Sequence, residues 1–195
     1  IDETLSEKTC KMIWDRVNEC LAKDEFRPQE LISRSNVAVI CTTDDPADDL
    51  EYHKQLKDFP TKILPTFRPD MATNIEKETF IPYIEKTGVK SYGEFLDWMT
   101  SRIEYFNEVG CKVSDHGLAY VMCAPATAEE VEAIFAKRLT GVMVSAEEEA
   151  KFKTAFLVEM GKECHRRGWA MQLHYGVKRD NSKRVFRYFG PDAGV

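Results

Sequence analysis

The chain alternates short apolar runs with longer segments of helical periodicity. Four runs of apolar, largely β-branched residues stop abruptly in polar residues, and a helical pattern follows each of them. Short apolar strands that alternate with helices are typical of a parallel β-sheet, whose ligands bind at the carboxyl ends of the strands. The predicted strands are residues 37–41, 62–65, 111–114 and 170–173.

A hydroxyl residue followed three positions later by Glu marks four predicted helix starts. This is the spacing of a capping box, in which the hydroxyl and the carboxylate satisfy opposite backbone donors of the first turn. The pairs are Thr4 with Glu7, Ser91 with Glu94, Thr127 with Glu130 and Ser145 with Glu148. Together with the apolar spacing they predict a helix near the amino terminus and helices over residues 92–109, 128–139 and 146–167.

Two architectures share this alternation: an open doubly wound sheet and a (β/α)8 barrel. The open sheet usually has a glycine-rich phosphate loop after its first strand, and neither GxGxxG nor GxxxxGK[ST] occurs here. We therefore predict an α/β fold of the TIM-barrel type, with this chain supplying about four of the eight βα units. Residues 1–36 are predicted as a helical segment that leads into the barrel, and residues 37–195 as the partial barrel.

Composition narrows the class of protein. The chain is 43% hydrophobic and 31% charged with a net charge of -6, and it has no basic stripe, so neither disorder nor nucleic-acid binding is indicated. No stretch approaches the roughly 18 apolar residues of a membrane-spanning helix. Six cysteines occur without a CxxC pair, and we interpret them as reduced thiols of a cytoplasmic protein.

His174 is the first candidate for chemistry. It stands at the end of a predicted strand, shortly before Gly176. At the mouth of a barrel an imidazole serves as a metal ligand or as an acid or base. The alternative is a core histidine that is hydrogen-bonded to a backbone carbonyl.

Asp115 and His116 are consecutive, so on a strand only one of them can face the barrel interior. A buried carboxylate without a partner is costly, which predicts that Asp115 meets a cation or a donor. The alternative is that Asp115 or Ser114 caps the following helix.

Two arginines are candidates for binding an anionic ligand. Arg68 lies at a strand end in an acidic chain, and its planar guanidinium suits a carboxylate. A structural ion pair with Asp70 or Asp45 is the competing interpretation. Arg179, five residues past His174, could act in the same way.

An acidic stretch follows the first predicted strand. Its spacing does not match a calcium loop, and its carboxylates are better placed to begin a helix after Pro46. Two further histidines, His53 and His165, are predicted to be surface residues and not ligands. The acidic residues are Asp44, Asp45, Asp48, Asp49 and Glu51.

Four motifs extend over essentially the whole chain: TTDDPADDLEYH, ILPTFRPD, GCKVSDHGL and GWAMQLHYGVKRDNSKRVFRYFGPDAG. In this order they closely resemble the uronate isomerase (glucuronate isomerase) family of the amidohydrolase superfamily. The resemblance implies a (β/α)8 barrel in which these strands are the second to the fifth. Family members also carry an HxH motif on the first strand and an Asp-Ser-Arg motif on the eighth, and this sequence has neither, so we expect it to be an internal segment.

The resemblance also implies residue roles. Arg68 and Arg179 fall where the family contacts its sugar acid, Asp115 and His174 match catalytic positions, and His174 is a candidate metal ligand. The implied cofactor is a divalent metal, with zinc as the expected ion, whose other ligands lie outside this chain. No metal is expected to bind tightly to these residues alone.

The implied activity is the interconversion of D-glucuronate with D-fructuronate, and of D-galacturonate with D-tagaturonate, in sugar-acid catabolism. The expected partner is the small uronate substrate, without nucleic acid or membrane, in a homo-oligomer. The isolated segment is expected to be inactive. The alternatives are a metal-dependent hydrolase of the same superfamily and a non-catalytic half-barrel module.

Overall fold

Helices and short strands alternate along the chain. The computed structural model describes residues 2–177, 180–191 and 193. A short 3-10 turn, Asp24–Phe26, separates the first two helices. The elements are α1 (Cys10–Leu21), α2 (Pro28–Arg34), β1 (Val39–Cys41), α3 (Glu51–Gln55), β2 (Lys62–Leu64), α4 (Asp70–Thr73), α5 (Phe80–Thr87), α6 (Tyr92–Val109), β3 (Val113–Leu118), α7 (Ala128–Leu139), α8 (Ala146–Arg167), β4 (Ala170–Tyr175) and α9 (Lys183–Phe189).

The four strands are parallel and adjacent, as predicted. β1 pairs with β2 and β3 pairs with β4. The two pairs are joined through Phe67, whose backbone N–H donates to the Val113 carbonyl at 3.1 Å and whose carbonyl accepts from the Asp115 N–H at 2.9 Å. The spatial order is therefore β1, β2, β3, β4, and the carboxyl ends of all four strands lie at one edge.

Several predicted strand boundaries were wrong. β1 begins at Val39 and not at residue 37, and β2 ends at Leu64 and not at residue 65. β3 begins at Val113 and not at residue 111, because the Cys111 N–H donates to the Phe106 carbonyl at 3.0 Å and so completes the end of α6. β3 and β4 also run on through the polar residues that were expected to end them. Asp115 pairs with Gln172, and Gly117 pairs with His174.

The hydrophobic core lies between one face of this sheet and the long helices. Its centre is aromatic: Phe67 meets Phe106 edge to face with ring centroids 5.1 Å apart, and Phe95 lies 5.4 Å from Phe135. The hydroxyl of Ser114 lies 3.2 Å from the Cys164 sulfur, so α8 covers this face of β3. Burial of these rings fixes the sheet against the helices.

The capping boxes at Thr127 and Ser145 are confirmed, since both partners of each box make their hydrogen bonds. α6, α7 and α8 have the predicted bounds. The box predicted at Thr4 is wrong: α1 begins at Cys10, and the Thr9 hydroxyl donates to the Thr4 carbonyl instead. None of the helices in the described ranges is both long and apolar enough to span a membrane.

The helix predicted directly after Pro46 was also placed wrongly. α3 begins only at Glu51. The carboxylates of Asp48 and Asp49 accept from the N–H groups two residues further on, at 2.6 and 3.0 Å, which closes local turns in place of a helix. Leu50 then takes a left-handed conformation with φ 52°, which a continuous right-handed helix does not allow.

Replacing Ser145 with alanine should lower the free energy of unfolding by about 1 kcal/mol, because the first turn of α8 loses its side-chain acceptor. The matched control is Thr4→Ala, which removes a hydroxyl that makes no hydrogen bond in the described part of the chain. Urea unfolding of the two variants measures the difference. Equal stabilities would contradict the assignment of the cap.

Candidate active site

Four charged or polar side chains converge at the carboxyl edge of the sheet. Arg68 follows β2, Asp70 opens α4, Asp115 lies in β3 and His174 lies in β4. The Arg68 Nε is 2.9 Å from Asp70 Oδ2 and 3.5 Å from Asp115 Oδ2, and His174 Nε2 is 3.1 Å from Asp115 Oδ1. These four residues are the candidate site.

The register of β3 and β4 explains why Asp115 and His174 meet. Paired residues of parallel strands and their alternate neighbours share a face, so Asp115, opposite Gln172, lies on the same face as His174, opposite Gly117. Ser114 and His116 lie on the other face, toward α8. The capping alternative for Asp115 is wrong, because β3 continues to Leu118.

Arg68 forms the ion pair with Asp70 that was named as a competing interpretation, but it also reaches Asp115. Its side chain is 28% exposed. The hydrogen bond to Asp70 uses Nε, and the terminal guanidinium nitrogens donate no hydrogen bond within the described part of the chain. A guanidinium in this state can still bind a carboxylate in the bidentate manner.

Asp45, the other proposed partner of Arg68, follows β1 at the same sheet edge but faces a different group. Its carboxylate accepts from the Tyr83 hydroxyl at 2.8 Å. Burial, followed by the charge of Asp45, raises the pKa of the Tyr83 hydroxyl. This pair belongs to the packing of α5 against the strand end.

Asp70 was not predicted as a site residue. Its Oδ1 accepts from the Gly117 N–H at 3.1 Å, while Oδ2 accepts from Arg68. The carboxylate therefore ties α4 to the middle strands of the sheet. Its position two residues after Arg68, at the first residue of a helix, could have identified it as a site residue from the sequence.

Asp115 has one oxygen that is not satisfied. Its side chain is 12% exposed, and Oδ1 receives no hydrogen bond from the described residues, because His174 approaches at ion-pair distance without hydrogen-bond geometry. A buried carboxylate oxygen in this state favours a further donor or cation. The adjacent imidazole is 40% exposed, so a ligand can reach the imidazole beside this buried oxygen.

Asp70, Gly117 and His174 line an open cleft of about 620 Å³. Its other walls carry Lys77 and Lys153, and a volume of this size lies within the usual range for small-molecule sites. Gly117 also lines the cleft, and its lack of a side chain leaves space for its neighbours. A Cβ built there would lie 3.0 Å from Asp70 Oδ2, 3.2 Å from His174 Cε1 and 3.3 Å from Arg68 Nη2.

The remaining histidines and Arg179 lie elsewhere. His53 was predicted as a surface residue, and this was wrong: its side chain is 8% exposed, and its Nε2 lies 2.7 Å from the Thr42 hydroxyl. His165 is exposed, as predicted. Arg179 lies outside the described residues. In the ranges that the structure describes, no group of three or more His, Cys, Asp or Glu side chains is arranged to hold a metal ion.

Comparison with known proteins identifies the family to which this chain belongs. The family model described as glucuronate isomerase matches residues 1–195. This chain belongs to the glucuronate isomerase family. It is 51% identical to the uronate isomerase of Lachnoclostridium phytofermentans over 98% of the chain, and 48% identical to that of Caldicellulosiruptor saccharolyticus over 100%. It spans 43% of the length of each of these relatives.

Solved structures agree with the family assignment. The uronate isomerase of Thermotoga maritima superposes with a TM-score of 0.90 at 34% identity, with 100% of this chain and 44% of that chain covered. The glucuronate isomerase of Caulobacter crescentus superposes with a TM-score of 0.86 at 29% identity, with 99% and 42% covered. The fold of this segment is therefore that of the matching part of the family.

His116 is buried behind the site and should make stability depend on pH. Burial lowers the pKa of its imidazole from 6.5 to about 4, and its Nε2 lies 3.0 Å from the Ser114 hydroxyl. Because the unfolded chain takes up a proton near 6.5 while the folded protein does not, this group destabilises the fold as the pH falls from 6.5 to about 4. The loss in the free energy of unfolding should reach roughly 3 kcal/mol.

The measurement is urea unfolding of wild type and His116→Gln from neutral pH to about pH 4. Relative to wild type, the free energy of unfolding of the variant should rise by up to about 3 kcal/mol as the pH falls. His165→Gln, at an exposed position, is the matched control and should show no such shift. A constant difference between wild type and His116→Gln would contradict the burial of a neutral imidazole.

Proposed function

We propose that this protein interconverts aldose and ketose uronates, D-glucuronate with D-fructuronate and D-galacturonate with D-tagaturonate. The observation that carries the proposal is that Arg68 lies beside a buried carboxylate and an imidazole at one sheet edge, and that its terminal nitrogens donate to none of the residues that the structure describes. A sugar acid presents matching groups, a carboxylate for the guanidinium and hydroxyls for the pair of Asp115 and His174.

The same proposal includes the architecture. We propose that the four parallel strands are the second to the fifth of a (β/α)8 barrel, with residues 1–36 as the preceding helical segment. The order of the strands, with helices against one face and the candidate site on the other, supports this arrangement. So does the match of this chain to 44% of a uronate isomerase of known structure.

Each residue of the site has a role in the proposed reaction, which moves a proton between C2 and C1 through an enediol. Arg68 binds and orients the substrate carboxylate. Asp115 and His174 hold the hydroxyl and carbonyl oxygens, and the imidazole can give or take the O–H proton as these two oxygens exchange roles. The base that takes the C–H proton from one carbon and returns it to the other is expected on the eighth strand of the barrel, outside this chain. Asp70 keeps the guanidinium in place through the hydrogen bond from Nε.

A divalent metal, with zinc as the expected ion, is part of the proposal. The unsatisfied Oδ1 of Asp115 and the neighbouring Nε2 of His174 are the donors that the described residues offer to it. When bound, such an ion polarises substrate oxygens. Tight sites generally use about three or more protein ligands, and these are two. Homo-oligomeric assembly and a cytoplasmic location stay predictions.

Arg68→Ala in the full-length gene product should lower kcat/KM for D-glucuronate by an amount equivalent to about 2 to 4 kcal/mol, because the carboxylate loses its charged partner. Arg68→Lys should restore only part of the activity, since an ammonium cannot reproduce the planar fork. Formation of D-fructuronate is measured for the three proteins. If alanine leaves kcat/KM within about twofold, Arg68 has a structural role. A wild-type protein that does not isomerise uronates overturns the proposed function.

Gly117→Ala should reduce turnover about 10- to 100-fold with little loss of stability, because the added methyl group displaces Asp70, His174 or Arg68 from their present positions. Gly161→Ala is the matched control. Its Cβ would meet only the Met171 sulfur, at 3.7 Å, and alanine suits its helix. Kinetics and thermal unfolding of both variants test this. Full activity of Gly117→Ala would show that the floor of the cleft tolerates a methyl group.

A further inference from the structure

A second polar cluster lies behind Arg68 and is not part of the candidate site. It consists of Thr42, Asp44 and His53, at the carboxyl end of β1 and in α3. The Thr42 hydroxyl lies 2.6 Å from Asp44 Oδ2 and 2.7 Å from His53 Nε2. The side chains of Asp44 and His53 are 11% and 8% exposed. The proposed function gives none of these side chains a task.

The distances favour one direction for the hydrogen bonds in this cluster, because the Thr42 hydroxyl lies nearer to Asp44 Oδ2, at 2.6 Å, than to the Leu64 carbonyl, at 3.3 Å. A charged carboxylate can only accept, so the short contact between Thr42 and Asp44 requires the hydroxyl proton to point at Oδ2. The hydroxyl oxygen must then accept from His53, which places a proton on Nε2. The His53 Nδ1 is buried and has no hydrogen-bond partner in the described part of the chain, in keeping with an unprotonated nitrogen.

Asp44 in turn holds the segment that carries Arg68. Its Oδ2 accepts from the Thr66 N–H at 3.1 Å, its own N–H donates to the Thr66 carbonyl at 3.0 Å, and its carbonyl accepts from the Arg68 N–H at 2.9 Å. On the other side, Phe67 is bonded to β3. The backbone of Arg68 therefore lies between Asp44 and the strand that carries Asp115.

We propose that the Thr42–Asp44–His53 cluster positions Arg68 for the substrate carboxylate, with Thr42 and His53 acting only through Asp44. This inference rests on the proposed function for its effect on the reaction. Loss of the hydroxyl leaves Asp44 Oδ2 with one donor fewer, so the carboxylate can turn away from the Thr66 N–H and the segment that leads to Arg68 is held less firmly. The proposal gives these three side chains no contact with the substrate, so they are positioning residues and not catalytic residues.

The first test compares Thr42→Val, which keeps the shape and removes the hydroxyl, with Thr42→Ser, which keeps the hydroxyl. In the full-length gene product, Thr42→Val should raise KM for D-glucuronate about tenfold with a smaller change in kcat, because the binding contact of Arg68 is misplaced. Thr42→Ser should stay close to wild type.

In an Arg68→Ala background Thr42→Val should cause little further loss of kcat/KM, since the two changes act on one contact. Additive losses would overturn the proposal.

The second test does not depend on activity. Hydrogen exchange followed by mass spectrometry should show faster exchange in the peptide that covers residues 62–70 for Thr42→Val and His53→Leu, but not for Thr42→Ser or His53→Gln, which keeps an N–H donor. If exchange is unchanged in both Thr42→Val and His53→Leu, the cluster does not hold this segment and the proposal is wrong. If the wild type does not isomerise uronates, the proposed function fails, and this measurement alone decides whether the cluster positions Arg68.

Discussion

The backbone of Phe67 is the constraint on which the sheet and the candidate site both depend. It bonds to Val113 and Asp115 on one side, and its neighbours bond to Asp44 on the other, so it joins two strand pairs into one parallel sheet. Its side chain is buried against Phe106 and Trp169. Because successive side chains of an extended segment point to opposite faces, the residue that anchors the core also directs Arg68 toward the site.

The electrostatics of the site follow from this placement. Two carboxylates, Asp70 and Asp115, approach one guanidinium, and each would be costly to bury without it. The pairing is unequal, since Asp70 also accepts from the Gly117 N–H while one oxygen of Asp115 receives no hydrogen bond from the described residues. The unsatisfied oxygen lies beside an accessible imidazole, which is why we assign the ligand to that side of the site.

The helices support the cleft through buried cations. Arg138 of α7 is buried and donates to the carbonyls of Ile75 and Lys77 at 2.9 and 3.0 Å. Lys153 of α8 is buried between Glu76 and Glu149. These contacts hold the segment after α4 that forms one wall of the cleft. Long, well-capped helices can fix such contacts because their own first turns are already satisfied.

The sequence by itself determined the features that depend on neighbours along the chain. Helices α6 to α8 were predicted from caps and apolar spacing, the four strands from their apolar runs, and the need of Asp115 for a cation from the cost of burying a carboxylate. Only the tertiary structure decided the burial of His53, the part of Asp70 in the site and the late start of α3. The first two depend on partners that packing brings close, and the third depends on local turns that compete with the helix. The spacing of residues along the chain does not specify which contact forms.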